Sequence, residues 1–176
     1  LLLQLEDTAR AVAMADQVKS LKVDSSVAAH FYTQLARVYS FAKEYGKAQS
    51  YFNRAIEIDS LNMCAWSGLG QMCIAQRDLA MADSAFDRLI QLNEEVRGKT
   101  GKAIVAHLDE NYGKARSIYQ FLIADTTIVA DACYRFAYNE HLLGDDHGAV
   151  RWAVKACSAD PDQPGYHALA GMLYGR

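Results

Sequence analysis

Gly98-Lys99-Thr100 ends like the phosphate-binding turn G-x-x-x-x-G-K-[ST], in which successive backbone amides wrap a phosphate. The first glycine of such a turn would fall at Asn93, and the preceding segment reads as helix rather than strand, so nucleotide hydrolysis is not expected. A weaker use survives, in which Lys99 and Lys102 near a helix start hold an acidic group. The histidines His30, His107, His141, His147 and His167 are scattered, and the six-residue step from His141 to His147 leaves one helix face, so no metal centre is expected. Cys64, Cys73, Cys133 and Cys157 show no C-x-x-C spacing; they read as small hydrophobes carrying thiols, with two disulfides as the alternative. Asp145-Asp146 reads as a solvated turn, no serine lies in G-x-S-x-G, and no cysteine has a local catalytic signature. The chain is therefore expected to be neither an enzyme nor a cofactor carrier.

Elements must then be found that give these residues another purpose. The chain has 176 residues, 51% of them hydrophobic, which suits a packed core and not disorder. Lys+Arg at 18 against Asp+Glu at 21 leaves a formal charge of −3, which argues against a nucleic-acid binder working by bulk electrostatics. Only 2 prolines and 11 glycines punctuate the chain, too few for an all-β sandwich. No apolar run approaches the roughly 20 residues of a membrane span, and no secretory signal is read.

A period emerges on self-comparison. Glu44-Tyr45-Gly46-Lys47-Ala48 aligns with Asn111-Tyr112-Gly113-Lys114-Ala115, and Asp78-Leu79-Ala80-Met81-Ala82 lies between them. The small residues Ala48, Ala82, Ala115 and Ala149 follow one another at steps of 34, 33 and 34. Arg54-Ala55-Ile56 repeats as Arg88-Leu89-Ile90, and Pro161 stands where a helix must stop. Upstream of the small residue, Trp66-Ser67-Gly68-Leu69-Gly70 reads W-x-x-L-G, with Ala82 and Phe86 downstream; Tyr32, Leu35, Ala36 and Tyr39 hold the equivalent places one unit earlier. These residues resemble the tetratricopeptide repeat, closely over 29–176 and loosely over 1–28.

That resemblance implies an all-α, right-handed solenoid of antiparallel helix pairs. Units are expected at about 29–62, 63–96, 97–129 and 130–163, with a partial or degenerate unit over 1–28 and a capping or truncated helix over 164–176. Tiny residues at one helix crossing and aromatics beside them form a face that no unit can bury alone, so neighbours must stack. Trp66, Phe52 and Phe86 are expected to be buried in this way. The unit at 97–129 departs from the pattern, because Lys99 and Lys102 stand where a large aromatic and Leu belong. Sliding its first helix by two residues would place Thr100, Gly101 and Ile104 in the packing positions, with a longer turn through Asp109-Glu110-Asn111. This slide is preferred, since it avoids burying two ammonium groups.

In such a stack the first helix of each pair lines a concave trough. Its outward positions are His30, Thr33, Gln34, Arg37 and Ser40, then Cys64, Ser67 and Gln71. Arg97, Thr100, Ile104 and His107 follow, and Asp131, Tyr134, Tyr138 and His141 complete the row. Tyrosines at helical spacing give broad, stiff, amphipathic contact area, and Arg37 and Arg97 are carboxylate or carbonyl binders. The Lys and Asn set with which some tetratricopeptide domains clamp a chaperone's C-terminus is missing: those places read Thr33, Arg37, Gly68, Arg97 and Gly101. The expected function is a protein–protein interaction scaffold that takes a peptide or partner helix in the groove. A sensory, regulatory or self-associating segment of a larger protein, meeting copies through its terminal helices, is the alternative. Unpaired thiols lean towards the cytoplasm, with export to a periplasm left open.

Overall fold

A computed structural model of the chain describes residues 24–124 and 129–175. Among these residues there are nine α-helices: α1 Ser25–Phe41, α2 Tyr45–Ile58, α3 Met63–Gln76, α4 Leu79–Gln91, α5 Glu95–Leu108, α6 Tyr112–Ala124, α7 Val129–Leu142, α8 Asp146–Ala159 and α9 Pro164–Tyr174. The described residues contain no strand. The helix expected over Asp7–Leu21 lies outside them.

Local chemistry accounts for the helix boundaries. Lys43, Arg77, Glu110 and Gly144 have φ of 61°, 63°, 60° and 82°, the left-handed turn that closes a helix. Each is followed by the residue that opens the next helix. Asp78 Oδ1 accepts from the Met81 amide at 3.1 Å, Asn111 Oδ1 from Lys114 at 3.1 Å, and Asp145 Oδ1 from Gly148 at 2.9 Å. The acidic turn at 145–146 is thus a helix cap. Asn62 starts α3 in the same way, accepting from the Ala65 amide at 3.0 Å.

The chain divides after Gly98 into two compact units. In the first, α1 packs on α2, α3 on α4, and α2 and α1 both on α3. Ala36 and Gly70 lie buried on the first helices, and Ala48 and Ala82 on the second. Phe52 is 0% and Phe86 2% exposed, each ring filling the space that a neighbouring glycine leaves. A Cβ at Gly68 would stand 2.5 Å from the Phe52 ring, and one at Gly70 would stand 2.7 Å from Phe86. Tyr32, Tyr51 and Tyr39 stack in series beside them, with ring centroids 6.1 and 5.4 Å apart. Trp66 departs from expectation: it is half-buried, and its indole N–H donates to the Ser60 carbonyl at 3.0 Å. It fastens the turn before α3 more than it fills the core.

The second unit repeats the scheme. Ala103 and Ala106 of α5, Ala115, Tyr119 and Leu122 of α6, Cys133, Phe136 and Ala137 of α7, and Ala149, Ala153 and Ala156 of α8 are all buried. Leu169 and Leu173 of α9 join Ala137, Ala149 and Ala153. The expected two-residue slide of α5 does not occur. Ala103 and Ala106 take the places of Gly70 and Cys73 at the regular step of 33, and the turn at Glu110 matches the one at Arg77. Lysine tolerates this register because its stem can lie on apolar surface while the ammonium stays out. Lys99 and Lys102 are only half-buried, and Lys99 Nζ sits 3.1 Å from the centre of the Phe121 ring.

Two buried polar contacts are specific to this unit. Glu140, 3% exposed, pairs with Arg116, whose guanidinium also lies 3.6 Å from Asp145. Asn139, 0% exposed, donates from Nδ2 to the Tyr112 carbonyl at 3.1 Å and so ties α7 to the start of α6.

Candidate recognition clefts

The expected trough residues divide sharply in the structure. In the first unit Arg37 of α1, Ser67 and Gln71 of α3 and Arg97 at the start of α5 line one cleft of about 190 Å³, together with Cys64 and Gly68. A second cavity of about 300 Å³ adjoins it, sharing Arg37, Gly68 and Gln71 and floored by Phe52, Met72 and Ala75. The first lies between successive first helices, and the second also takes Tyr45 and Phe52 of α2. The reason is periodic: positions 37 and 71, and 64 and 97, are equivalents one repeat apart, so stacking brings them side by side.

In the second unit Ile104, His107 and Leu108 of α5, Tyr119 of α6, and Tyr134, Arg135 and Tyr138 of α7 line a cavity of about 220 Å³. Tyr119 is buried, and that burial pushes its phenol up to about 12, so it stays neutral. The Tyr134 ring packs against Tyr166, tilted by 36° with centroids 5.1 Å apart. The His107 ring packs 5.5 Å from both Tyr112 and Tyr138, and its Nδ1 donates to Asn139 Oδ1 at 3.4 Å.

Six expected trough residues are not brought into these clefts: Thr100 of α5 and five others. Thr33 is 0% exposed: its hydroxyl donates to the Ala29 carbonyl at 2.8 Å and accepts from Asn62 Nδ2 at 3.3 Å. It therefore faces no ligand, and serves to join α1 to the cap of α3. His30 and Gln34 are exposed, with Gln34 Nε2 and His30 Nε2 3.4 Å apart. Asp131 is held by Arg135 at 2.7 Å, and His141 Nδ1 lies 2.6 Å from Asp146 at the start of α8. Arg135, Phe41 and Met72 line clefts although outward helical phase does not single them out. A repeat-by-repeat alignment finds Arg135, since it stands at the step of Gln34, Gly68 and Gly101.

The other residues with chemical potential settle into the fold. Gly98-Lys99-Thr100 lies inside α5. All four cysteines are free; Cys73 and Cys133 are buried, and burial pushes the Cys73 thiol up to about 11, well away from the reactive thiolate. Among the described residues no group of three His, Cys, Asp or Glu is placed to hold a metal ion. No described helix is long and apolar enough to cross a membrane.

Burial also pushes the His107 imidazole below its ordinary value of 6.5, opposed by the Asn139 hydrogen bond and reinforced by the Arg135 charge. The folded unit thus holds a neutral ring, while the unfolded chain takes up a proton below about pH 6.5. Over that window the unfolded state binds more protons, so stability is present above it and is lost as pH falls through it. Thermal melts at about pH 7.5 and 5.5 should give a lower Tm at the acidic value, and the gap should narrow in His107→Gln.

Residues 29–60 match the tetratricopeptide repeat family model. The fold as a whole is similar to that of a tetratricopeptide repeat protein from Parabacteroides merdae ATCC 43184, with a TM-score of 0.78 and 18% identity over 96% of this chain. This chain spans 65% of the length of that structure. It is also similar to YrrB, described as a TPR protein with an unusual peptide-binding site, with a TM-score of 0.72 and 24% identity over 100% of this chain and 88% of that one. PilW, a type IV pilus biogenesis factor, gives a TM-score of 0.75 and 18% identity over 98% of this chain and 86% of that one. No curated protein sequence matches the chain. The chain thus carries a tetratricopeptide repeat at residues 29–60 and has the all-α helical solenoid fold of tetratricopeptide-repeat structures.

Proposed function

We propose that this protein is a non-catalytic interaction scaffold that binds a segment of a partner protein along the inward faces of its first helices. The observation that carries this reading is the convergence of Arg37, Ser67, Gln71 and Arg97 on one open cleft. These four come from three helices, and the packing of the unit does not require their side chains. Arg37 makes no hydrogen bond or ion pair with any described residue, and Arg97 keeps only a 3.7 Å ion pair with Glu94. The second unit supports the same use with different chemistry, since Tyr138 is 41% exposed beside the cavity that it lines. Solvent-facing tyrosine and arginine are the side chains that most often anchor protein interfaces. The tetratricopeptide fold supports a binding role, and YrrB, the peptide-binding neighbour, shows that the fold can serve it.

Affinity purification with mass spectrometry, run on wild type and on an Arg37→Glu/Tyr134→Ala/Tyr138→Ala variant, tests the reading. Partners enriched by the wild type should be lost from the variant, while far-UV circular dichroism stays unchanged. An identical partner list from both proteins would contradict it.

A further inference from the structure

We propose that the cleft of the first unit selects a protein segment in which an acidic side chain and a large apolar side chain lie a residue or two apart. This deepens the peptide-binding reading above and rests on it. The charge of the cleft points to the acidic half. The whole chain carries −3, yet among the described residues Arg37, Arg97 and Lys43 are the only charged ones lining the two cavities, and no Asp or Glu joins them. A guanidinium fork pairs with a carboxylate through two parallel hydrogen bonds, and Ser67 and Gln71 between the two arginines can take up the remaining lone pairs.

The apolar half follows from the adjoining cavity. Its floor is the Phe52 ring and the Met72 side chain, and at its rim stands Phe41, a phenylalanine left 83% exposed. Arg37 thus lines both a cleft that holds Arg97 and a cavity in which Phe41, Phe52, Met72 and Ala75 supply an apolar wall beside Ser40, Lys43 and Tyr45, with Gly68 and Gln71 common to both. The glycine matters here. At the equivalent step α1 carries Gln34 and α7 carries Arg135. A side chain at position 68 would stand on the line where the cavities meet, and its Cβ would also strike the Phe52 ring at 2.5 Å. Gly68 therefore keeps the two cavities continuous, so one extended segment can place neighbouring side chains in both.

Fluorescence anisotropy with synthetic peptides tests the proposal. The probe is a fluorescein-labelled peptide pool, blocked at the C-terminus by amidation and built around a fixed Glu-x-Phe in otherwise random neutral sequence. Matched pools carry Gln for Glu or Ala for Phe. The Glu-x-Phe pool should bind, and each matched pool should bind roughly tenfold more weakly or worse. Arg37→Glu should abolish the preference for Glu over Gln, and Phe41→Ala the preference for Phe over Ala, with circular dichroism unchanged in both. Equal binding of the Glu and Gln pools, with both displaced by Arg37→Glu, would overturn the acidic-apolar selection and leave the groove reading standing. Absence of binding by every pool would overturn both. Displacement of the Glu-x-Phe pool by single-stranded oligonucleotide at a stoichiometric ratio would overturn the proposal in favour of phosphate recognition.

Discussion

Phe52→Ala should lower the stability of the first unit by about 3–5 kcal/mol, the usual loss for truncating a buried phenylalanine. The ring is 0% exposed and lies where a Cβ at Gly68 would fall. Its neighbours Ala48 and Ala55 on α2 and Gly68 on α3 have little or no side chain with which to close the gap. The void should therefore persist rather than collapse, which puts the loss towards the upper part of that range. Urea denaturation followed by circular dichroism is the measurement. Phe41→Ala is the matched control: Phe41 is 83% exposed, so its truncation should change stability by no more than about 0.5 kcal/mol. Equal losses from the two variants would show that the aromatic positions of the second helices do not hold the helix pairs together.

Gly70→Leu is the second large effect, expected to cost about 1–3 kcal/mol or more by overpacking. A Cβ there would meet three atoms of the Phe86 ring at 2.7, 2.8 and 3.1 Å before the rest of the leucine is placed. Phe86 is 2% exposed and flanked on its own helix by buried Ala82, Ala85 and Leu89, so the ring has nowhere to retreat. Gly171 holds the equivalent register position on α9, where an added methyl group would have nothing within 4 Å. There the opposite sign applies: Gly171→Ala should stabilise by about 0.5–1 kcal/mol, because alanine restricts the unfolded chain and suits a helix interior. The same substitution class thus divides by whether a second helix covers the glycine. Thermal denaturation of the two variants side by side reads both signs.

The repeat is legible in the sequence because packing at a helix crossing admits few residue types. Ala48, Ala82, Ala115 and Ala149 can be nothing much larger, and their steps of 34, 33 and 34 reveal the period without any motif. The all-α solenoid follows from that. The position of α5 is harder to read, because residue type alone cannot weigh a buried lysine head against a buried stem. Strict register is kept because Lys99 can lay its ammonium over Phe121, a contact visible only once α5 and α6 are placed. Trp66 escapes the motif for a related reason: its indole N–H needs an acceptor, and the Ser60 carbonyl draws the ring towards the turn.

Site residues are legible in part. Arg37, Ser67, Gln71 and Arg97, which outward helical phase groups, line one cavity, and His107, Tyr134 and Tyr138 line another. Phase says nothing of what a neighbouring loop will cover, which is why it assigns Thr33 to the trough when the residue lies beneath Asn62. Nor does it show local partners: Asp131 and His141 are taken up by Arg135 and Asp146.

The division of labour between helices is tested most directly by site-specific photo-cross-linking. A benzophenone side chain introduced at Gln71 on the inward face of α3, or at Asn53 on the exposed face of α2, would report which surface a partner touches in living cells. The packing scheme predicts discrete cross-linked adducts from position 71 and none from position 53. Adducts formed at position 53 with none at position 71 would contradict it, and would move recognition to the second helices.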